Sequence, residues 1–382
     1  MKIGLISTID HNIGDDFVRE GIKNILSSFD SENIEFVIIN KHKPLTVYDN
    51  FLIPRLLNKF FYSFNFANRR YEFYFSNIYK YFFRKNLFYY CNLIIQCGAP
   101  TVFDTAFCAE WVKPIFKNSL YENKNKQTFI DIAGGSCFNF FEINNIKLSN
   151  DNLYHFKWLL SFTDLITVRD KLAYKLLSKI TKDIKLIPCT AFFASNNFLN
   201  YKDLLINKKN IFINIMPIGG HYTFDAKNNS WLDEHIDFVK SLLKKYNLIF
   251  VAHSEEEYKF QRNVFKNEKN CQFFYPKNID DYFAISSKCS FGIVNRLHAS
   301  IFLGSIGIDS IAIGNDSRLL MLDEFNNKYL TVNNYSKVKI NFMFNKQILN
   351  MKKRNHDLKM LKNKIFVDYR KIFSKKNEIP FK

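Results

Sequence analysis

The chain has 382 residues, 47% of them hydrophobic and 24% charged, which excludes a disordered protein and exceeds what one ordinary core holds, so two domains are expected. A formal charge of +18 calls for an anionic partner. No helix-turn-helix, zinc-finger or RNA-binding aromatic signature accompanies that charge, so nucleic acid is not the expected partner, and a phosphorylated small substrate or an anionic membrane surface serves it equally well.

The abundant Phe and Tyr, 42 and 20 residues, accompany many Lys, Asn and Ile as an AT-rich coding sequence would produce, so composition carries little functional weight. The run from Lys2 to Asp10 lacks the length and cleavage pattern of a signal peptide, and no apolar stretch approaches the roughly eighteen residues of a membrane span. A cytoplasmic location is expected. Seven cysteines without a C-x-x-C pair point to free, buried thiols rather than a structural zinc site. No other metal-ligand cluster is visible, and no cofactor is expected.

Lys2 to Ser7 is a short apolar strand without alternation, as in a sheet covered on both faces. A polar loop follows, after which Asp15 or Asp16 can open a helix with Phe17, Gly21, Ile25 and Leu26 near one face. Ile34 to Asn40 is the next strand. Leu93 to Gly98 and Thr128 to Gly135 repeat an apolar strand ending in glycine, which suits a parallel sheet whose loops gather at one edge. Ile166 to Val168 is another strand, and Asp170 can cap the helix carrying Leu172, Leu176 and Leu177. The first domain spans residues 1–195, and the Asn-rich stretch from Ser195 to Asn210 is the expected linker.

Within that domain the segment 55–90 interleaves Arg55, Lys59, Arg69, Arg70, Lys80, Arg84 and Lys85 with many aromatic residues and the single acid Glu72. It reads either as an aromatic helical insertion packed on the first domain, with solvated cations, or as a membrane-surface element.

A second alternating set occupies residues 205–340. Its strands are Ile211 to Met216, Leu248 to Ala252, Phe273 to Tyr275, Phe291 to Val294 and Ser310 to Gly314, with helices around Leu232 to Tyr246, Glu255 to Phe265 and Asp280 to Ser286. The turns Gly219-Gly220-His221 and Gly134-Gly135-Ser136 resemble phosphate-cradling loops only in outline. A basic helix over 345–376 places Leu358, Leu361 and Ile365 at helical spacing and, by analogy with two-lobed folds, packs back on the first domain.

Asn295-Arg296-Leu297-His298-Ala299 sits directly after an apolar strand and opens a small-residue helix. A strand-to-helix turn at a sheet's carboxyl edge faces the ligand crevice, and the helix N-terminus favours an anion. On their own, these residues also fit an arginine capping a neighbouring carboxylate and a satisfied core histidine.

Taken together, Lys2-Ile3-Gly4-Leu5-Ile6 with Asn12-Ile13-Gly14-Asp15, then Thr167-Val168-Arg169-Asp170, His253, and Arg296-Leu297-His298 with Gly307-Ile308 behind it, resemble the polysaccharide pyruvyl transferase family in order and spacing. The resemblance implies an α/β protein of two doubly wound, Rossmann-like domains facing a cleft, a GT-B-like arrangement with a C-terminal helix. It further implies a transferase that moves pyruvate from phosphoenolpyruvate onto a sugar of a cell-surface polysaccharide or its lipid-linked precursor, as a ketal.

In that reading Arg296 and Arg169 hold the anionic donor, His298 manages a proton, and His253, Asn12, Gly14 and Asp15 contact substrate. Asp15 equally suits a helix cap, and Arg169 an ion pair with Asp170 or Asp164. The sequence departs from the family's pattern in two places: Cys97-Gly98-Ala99-Pro100 stands where a glycine triplet is common, and Cys189 where an Asp is. A glycosyltransferase using a nucleotide sugar shares the architecture and is the alternative. A basic scaffold binding nucleic acid or anionic glycan is a third.

Overall fold

The computed structural model describes residues 1–9, 12–29, 34–63, 69–83, 85–121, 127–195, 209–219 and 230–375. The elements of the first lobe are β1 (Lys2–Ser7), α1 (Ile13–Ser27), β2 (Glu35–Asn40), α2 (Leu52–Ser63), α3 (Arg69–Phe82), β3 (Leu93–Gln96), β4 (Pro100–Val102), β5 (Thr128–Ser136), α4 (Asn150–Leu160), β6 (Leu165–Val168), α5 (Lys171–Leu177) and β7 (Ile184–Leu186). The second lobe comprises β8 (Asn210–Asn214), α6 (Ser230–Leu242), β9 (Asn247–Val251), α7 (Glu255–Phe265), β10 (Cys271–Phe274), α8 (Ile279–Ser286), β11 (Phe291–Val294), α9 (Leu297–Ser305), β12 (Ser310–Gly314) and β13 (Lys328–Thr331). The long helix α10 (Lys337–Lys375) closes the chain's described part.

Two parallel sheets result. The first runs β2-β1-β3-β5-β6-β7, with β4 beside the end of β5, and the second runs β10-β9-β8-β11-β12-β13. In each, the chain's direction across the sheet reverses next to the first strand, between β1 and β3 and between β8 and β11. A crevice therefore opens at the carboxyl ends of those strands. The unbroken apolar strands Ile3, Leu5, Ile6 and Ile211, Phe212, Ile213 are buried because helices cover both faces.

A single apolar cluster runs through both lobes, joining Phe17 and Ile22 of α1, Phe192 and Phe193, Tyr282 of α8, Phe302 of α9 and Tyr369 of α10. Phe17 meets Tyr282 and Phe302 at ring-centroid distances of 4.8 and 4.5 Å. Helix α10 starts eight residues before the expected 345 and bridges the lobes. Its Ile340 and Phe344 pack on the second sheet's outer layer, while Leu358, Ile365, Tyr369 and Phe373 join the shared cluster. The Tyr369 hydroxyl donates to Pro188 O at 2.7 Å.

The structure corrects several sequence expectations. Asn12, not Asp15 or Asp16, caps α1, its side chain accepting from Gly14 N, so both acids lie in the first turn. Gly134, Gly135 and Ser136 belong to β5 rather than to a turn. The short strands β4, β7 and β13 and a π-helix over Val112–Leu120 carry no clear periodicity and were not anticipated. The expected linker, apart from its two ends, and Gly220 and His221 lie outside the described residues. The cysteines are free, and five of the seven are buried; Cys108 is exposed and Cys271 intermediate.

Candidate active site

Arg296 is the N-cap position of α9, immediately beyond β11, and the side chains of strand-end asparagines fix the turn that holds it. Asn214, at the end of β8, accepts from Arg296 N at 2.8 Å, and Asn295 accepts from Met216 N at 3.0 Å while donating to Ile313 O at 2.9 Å. Glu257 on α7 then fixes the guanidinium. Arg296 Nε donates to Glu257 Oε1 at 2.7 Å and Nη2 lies 2.5 Å from the same oxygen. The second oxygen, Oε2, accepts from His253 N at 2.9 Å and from Asn214 Nδ2 at 3.0 Å. The carboxylate thus takes two of the donor nitrogens of Arg296, the neighbouring acid that one sequence reading called for, while Arg296 also lines the cavity.

His253 follows β9 and is buried. Its Nδ1 lies 3.3 Å from Asn12 Oδ1 and its Nε2 2.9 Å from the Tyr282 hydroxyl. A carbonyl oxygen only accepts, so Nδ1 carries the proton and Nε2 accepts from Tyr282. Burial, and next the charge of Arg296, holds this imidazole well below its ordinary pKa. With both nitrogens engaged inside the protein, His253 positions Asn12 and the first βα turn at the cavity it lines.

Arg169 follows β6 and is 1% exposed. The carboxylate of Asp170 beside it caps α5 through Ala173 N at 2.8 Å and accepts from Ser136 N and Oγ at 2.7 and 2.8 Å, so its hydrogen bonds go there while its charge still acts on Arg169. Asp164 accepts from Phe129 N. Arg169 Nη1 reaches Cys189 Sγ at 3.6 Å and His298 Nε2 at 3.2 Å, while Nε and Nη2 have no hydrogen-bond partner among the described residues. A guanidinium only donates, so His298 accepts at Nε2 and carries its proton on Nδ1. Burial, then the charges of Arg169 and Arg318, keep His298 well below its ordinary pKa and hence neutral.

Two glycines make room for these side chains, Gly14 across the junction of the lobes and Gly135 within the first lobe. A Cβ on Gly14 would come within 2.6 Å of His298 Nδ1, and one on Gly135 within 2.4 Å of Arg169 Nε. The close approach that glycine was expected to give a ligand at position 14 is given to the imidazole of the other lobe. Ala133, in the left-handed region at φ 55°, marks a register shift between β5 and β6 that brings Gly135 under the guanidinium.

Arg169, Arg296, His298, His253 and Asn12 line one cavity between the lobes, together with Arg318. Asp316 grips Arg318 with both oxygens, at 2.8 Å to Nε and 2.5 Å to Nη2. A second cavity continues from the first through Asn12, Arg169, His298 and Arg318 toward Asp15, Lys41 and Trp111 of the first lobe. Lys41 Nζ is buried without a hydrogen-bond partner among the described residues and sits 4.2 Å from the Trp111 ring centroid. Burial pulls its ammonium down to about 8, against the opposing charge of Asp131, whose own carboxyl is pushed up to about 7 by burial.

The family model of polysaccharide pyruvyl transferases matches residues 12–317. The chain belongs to the polysaccharide pyruvyl transferase family. No curated protein sequence matches it. Among solved structures it is similar to S. aureus MnaA in its UDP co-structure, with 12% identity, 97% of this chain and 96% of that one covered, and a TM-score of 0.56. It is also similar to a glycosyltransferase from Rickettsia africae ESF-5, with 12% identity, 98% of each chain covered and a TM-score of 0.51. A UDP-GlcNAc 2-epimerase from Neisseria meningitidis bound to UDP-GlcNAc covers 97% of this chain and 99% of its own, with 11% identity and a TM-score of 0.50. At such identities the likeness establishes the GT-B-like fold of this pyruvyl transferase family member, with a C-terminal helix, and the transferase class rests on the family.

All the sequence-derived residues but Gly14 and Asp15 line the first cavity; Asp15 lines the second, and Gly14 packs against His298. Sequence reasoning missed Arg318, Lys41 and Trp111. Arg318 had a readable signal: Asn315-Asp316-Ser317-Arg318 follows a strand ending in glycine, the same strand-end setting that drew attention to Arg296. Cys189, where the resemblance would put an Asp, lies against Arg169, its Sγ 3.6 Å from Nη1.

Proposed function

We propose that this protein is a pyruvyltransferase that uses phosphoenolpyruvate to form a cyclic ketal on two hydroxyls of one sugar in a surface polysaccharide or its lipid-linked precursor. The observation that carries the reading is Arg169: a buried guanidinium with two unsatisfied donor nitrogens, bonded through its third to a neutral imidazole of the opposite lobe. Leaving such donors empty costs stability, and a doubly charged phosphate or a carboxylate satisfies them with parallel charge-assisted bonds. Arg296 and Arg318 line the same cavity and add positive charge there, where the local dielectric strengthens each contact.

The proton balance suits the residues present. Two sugar hydroxyls lose their protons as their oxygens bond to C2 of the donor. One proton ends on C3, turning the methylene into the ketal's methyl, and the other leaves on the phosphate as the C2–O bond breaks. His298, neutral when the cavity is empty, relays a proton between these positions, because a bound dianion beside it raises its basicity. Asp15 and Lys41 line the continuing cavity on the acceptor side, where Asp15 accepts a hydroxyl proton and Trp111 offers a ring face for the sugar. The cytoplasmic face of the cell, where phosphoenolpyruvate is made, is the proposed place of action.

The test is incubation of the purified protein with phosphoenolpyruvate and a panel of lipid-linked sugars, reading phosphate release and the mass of the sugar. A sugar gaining the pyruvyl group in step with phosphate release supports the reading, and none across a broad panel overturns it. The solved neighbours with bound UDP or UDP-GlcNAc favour one second reading, a nucleotide-sugar glycosyltransferase. It predicts that UDP-sugars, and not phosphoenolpyruvate, raise the melting temperature.

A further inference from the structure

Helices α2 and α3 form an antiparallel hairpin on the first lobe. Asn50 Nδ2 donates to Lys85 O at 2.6 Å at one end, and the Phe61 and Phe75 rings lie 4.7 Å apart toward the other. The hairpin's inner side is satisfied: Asn58 donates to Leu45 O and Asp49 Oδ1, and Tyr79 joins the first-lobe core. Its outer side is not that of a water-soluble helix. On α2, Leu52, Ile53, Leu56 and Leu57 are 69%, 62%, 58% and 38% exposed, and their spacing gathers them on one face. Arg55 and Lys59 fall beside that face, where long stems can lie along apolar matter while their charges stay in water; Arg55 is held there by Asp49, whose backbone oxygen accepts from its Nε at 2.7 Å.

Helix α3 adds exposed Tyr74, Tyr81 and Phe82. Residues 51–90 contain seven Lys and Arg against the single acid Glu72, and that acid faces inward, where burial pushes its carboxyl up to about 7. An apolar helical face of this size is costly to leave in water. A protein partner's apolar groove would cover Leu52 and Leu56, but it would not call for the surrounding excess of positive charge. Among the described residues no helix is long and apolar enough to cross a membrane, so the arrangement is that of an element lying in an interface.

We propose that the outer face of α2, flanked by Arg55 and Lys59 and extended by the aromatic residues of α3, docks the protein onto an anionic lipid bilayer, with the leucines among the acyl chains and the cations at the headgroups. This goes beyond the transfer reaction and does not depend on it, since bare vesicles hold neither donor nor acceptor.

The experiment is sedimentation of the full-length protein with phosphatidylcholine vesicles, with and without one-third phosphatidylglycerol, at low and high salt. Wild type is expected to pellet with the anionic vesicles and to be released by salt. Leu52→Gln/Leu56→Gln, at exposed positions, should keep the wild-type melting temperature and bind at least about tenfold more weakly. Lys59→Gln should weaken binding about fivefold on anionic vesicles and little on neutral ones. Wild type remaining in the supernatant overturns the proposal, as does undiminished binding of the double glutamine variant. A dimer in size-exclusion chromatography that the same variant turns into a monomer, without vesicle binding, also overturns it in favour of a second copy of this chain.

Discussion

At the scale of single residues, Arg169 sets stability against activity. Removing a buried guanidinium whose Nε and Nη2 lack hydrogen-bond partners among the described residues relieves a desolvation cost, so Arg169→Met is expected to stabilise the protein without ligand by roughly 1–3 kcal/mol, read as a higher melting temperature. The same substitution removes the donors facing the cavity and should lower transfer activity about 10²–10³-fold. A variant that is both less stable and inactive would mean that the guanidinium is structural. The sequence allowed two accounts of this arginine, an ion pair at a helix start or an anion holder, and could not choose. The choice depends on where Asp170 points, and that follows from Ser136 lying on the neighbouring strand β5, a contact 34 residues distant. Arg296 shows the converse. Its place at a strand end was legible, but its carboxylate partner Glu257 lies 39 residues away on another helix, where no local pattern reaches.

At the scale of elements, α10 carries a buried lysine across the junction of the lobes. Lys362 Nζ donates to Ser195 Oγ at 3.1 Å and to Ser305 O at 2.9 Å, and burial brings its ammonium from the ordinary 10.5 down to about 7. The unfolded chain keeps that proton up to about pH 10.5 while the folded chain releases it above about 7. Stability therefore rises as pH increases between these values and is lost as pH falls toward 7. Denaturant titrations at pH 7, 8 and 9 should show the rise in wild type and a slope smaller by up to about 1.4 kcal/mol per pH unit in Lys362→Met; equal slopes would refute the assignment. The strong strands and the amphipathic helices α1 and α7 were legible because their apolar periodicity is local. Strands β4, β7 and β13 were not, since three or four residues paired at a sheet's edge have too little pattern to read.

At the scale of the molecule, the doubled alternation of strands and helices made the two-sheet architecture legible, while the common cluster through Phe17, Phe192 and Phe302 was not, because it arises only when the lobes meet. Shared packing of this kind couples the lobes, so calorimetry should record one cooperative transition rather than two. Phosphoenolpyruvate at about a hundred times its dissociation constant should raise the stability of that transition by about 2.7 kcal/mol, and should leave Arg169→Met unmoved. Two separate transitions in wild type would show that the lobes unfold independently.

The packing of Phe17 against Phe302 and edge-on to Tyr282 also limits how such an enzyme can breathe. A wide, clam-like gape would wet this aromatic seam, at roughly 25 cal/mol for each Å² of apolar surface uncovered. Traffic of donor and departing phosphate is then confined to sliding of helices past one another, a shear that keeps the rings in touch. The pace of turnover would be set by how far α1 and α9 can slip, and a bulkier or smaller side chain at position 17 becomes a means of tuning it.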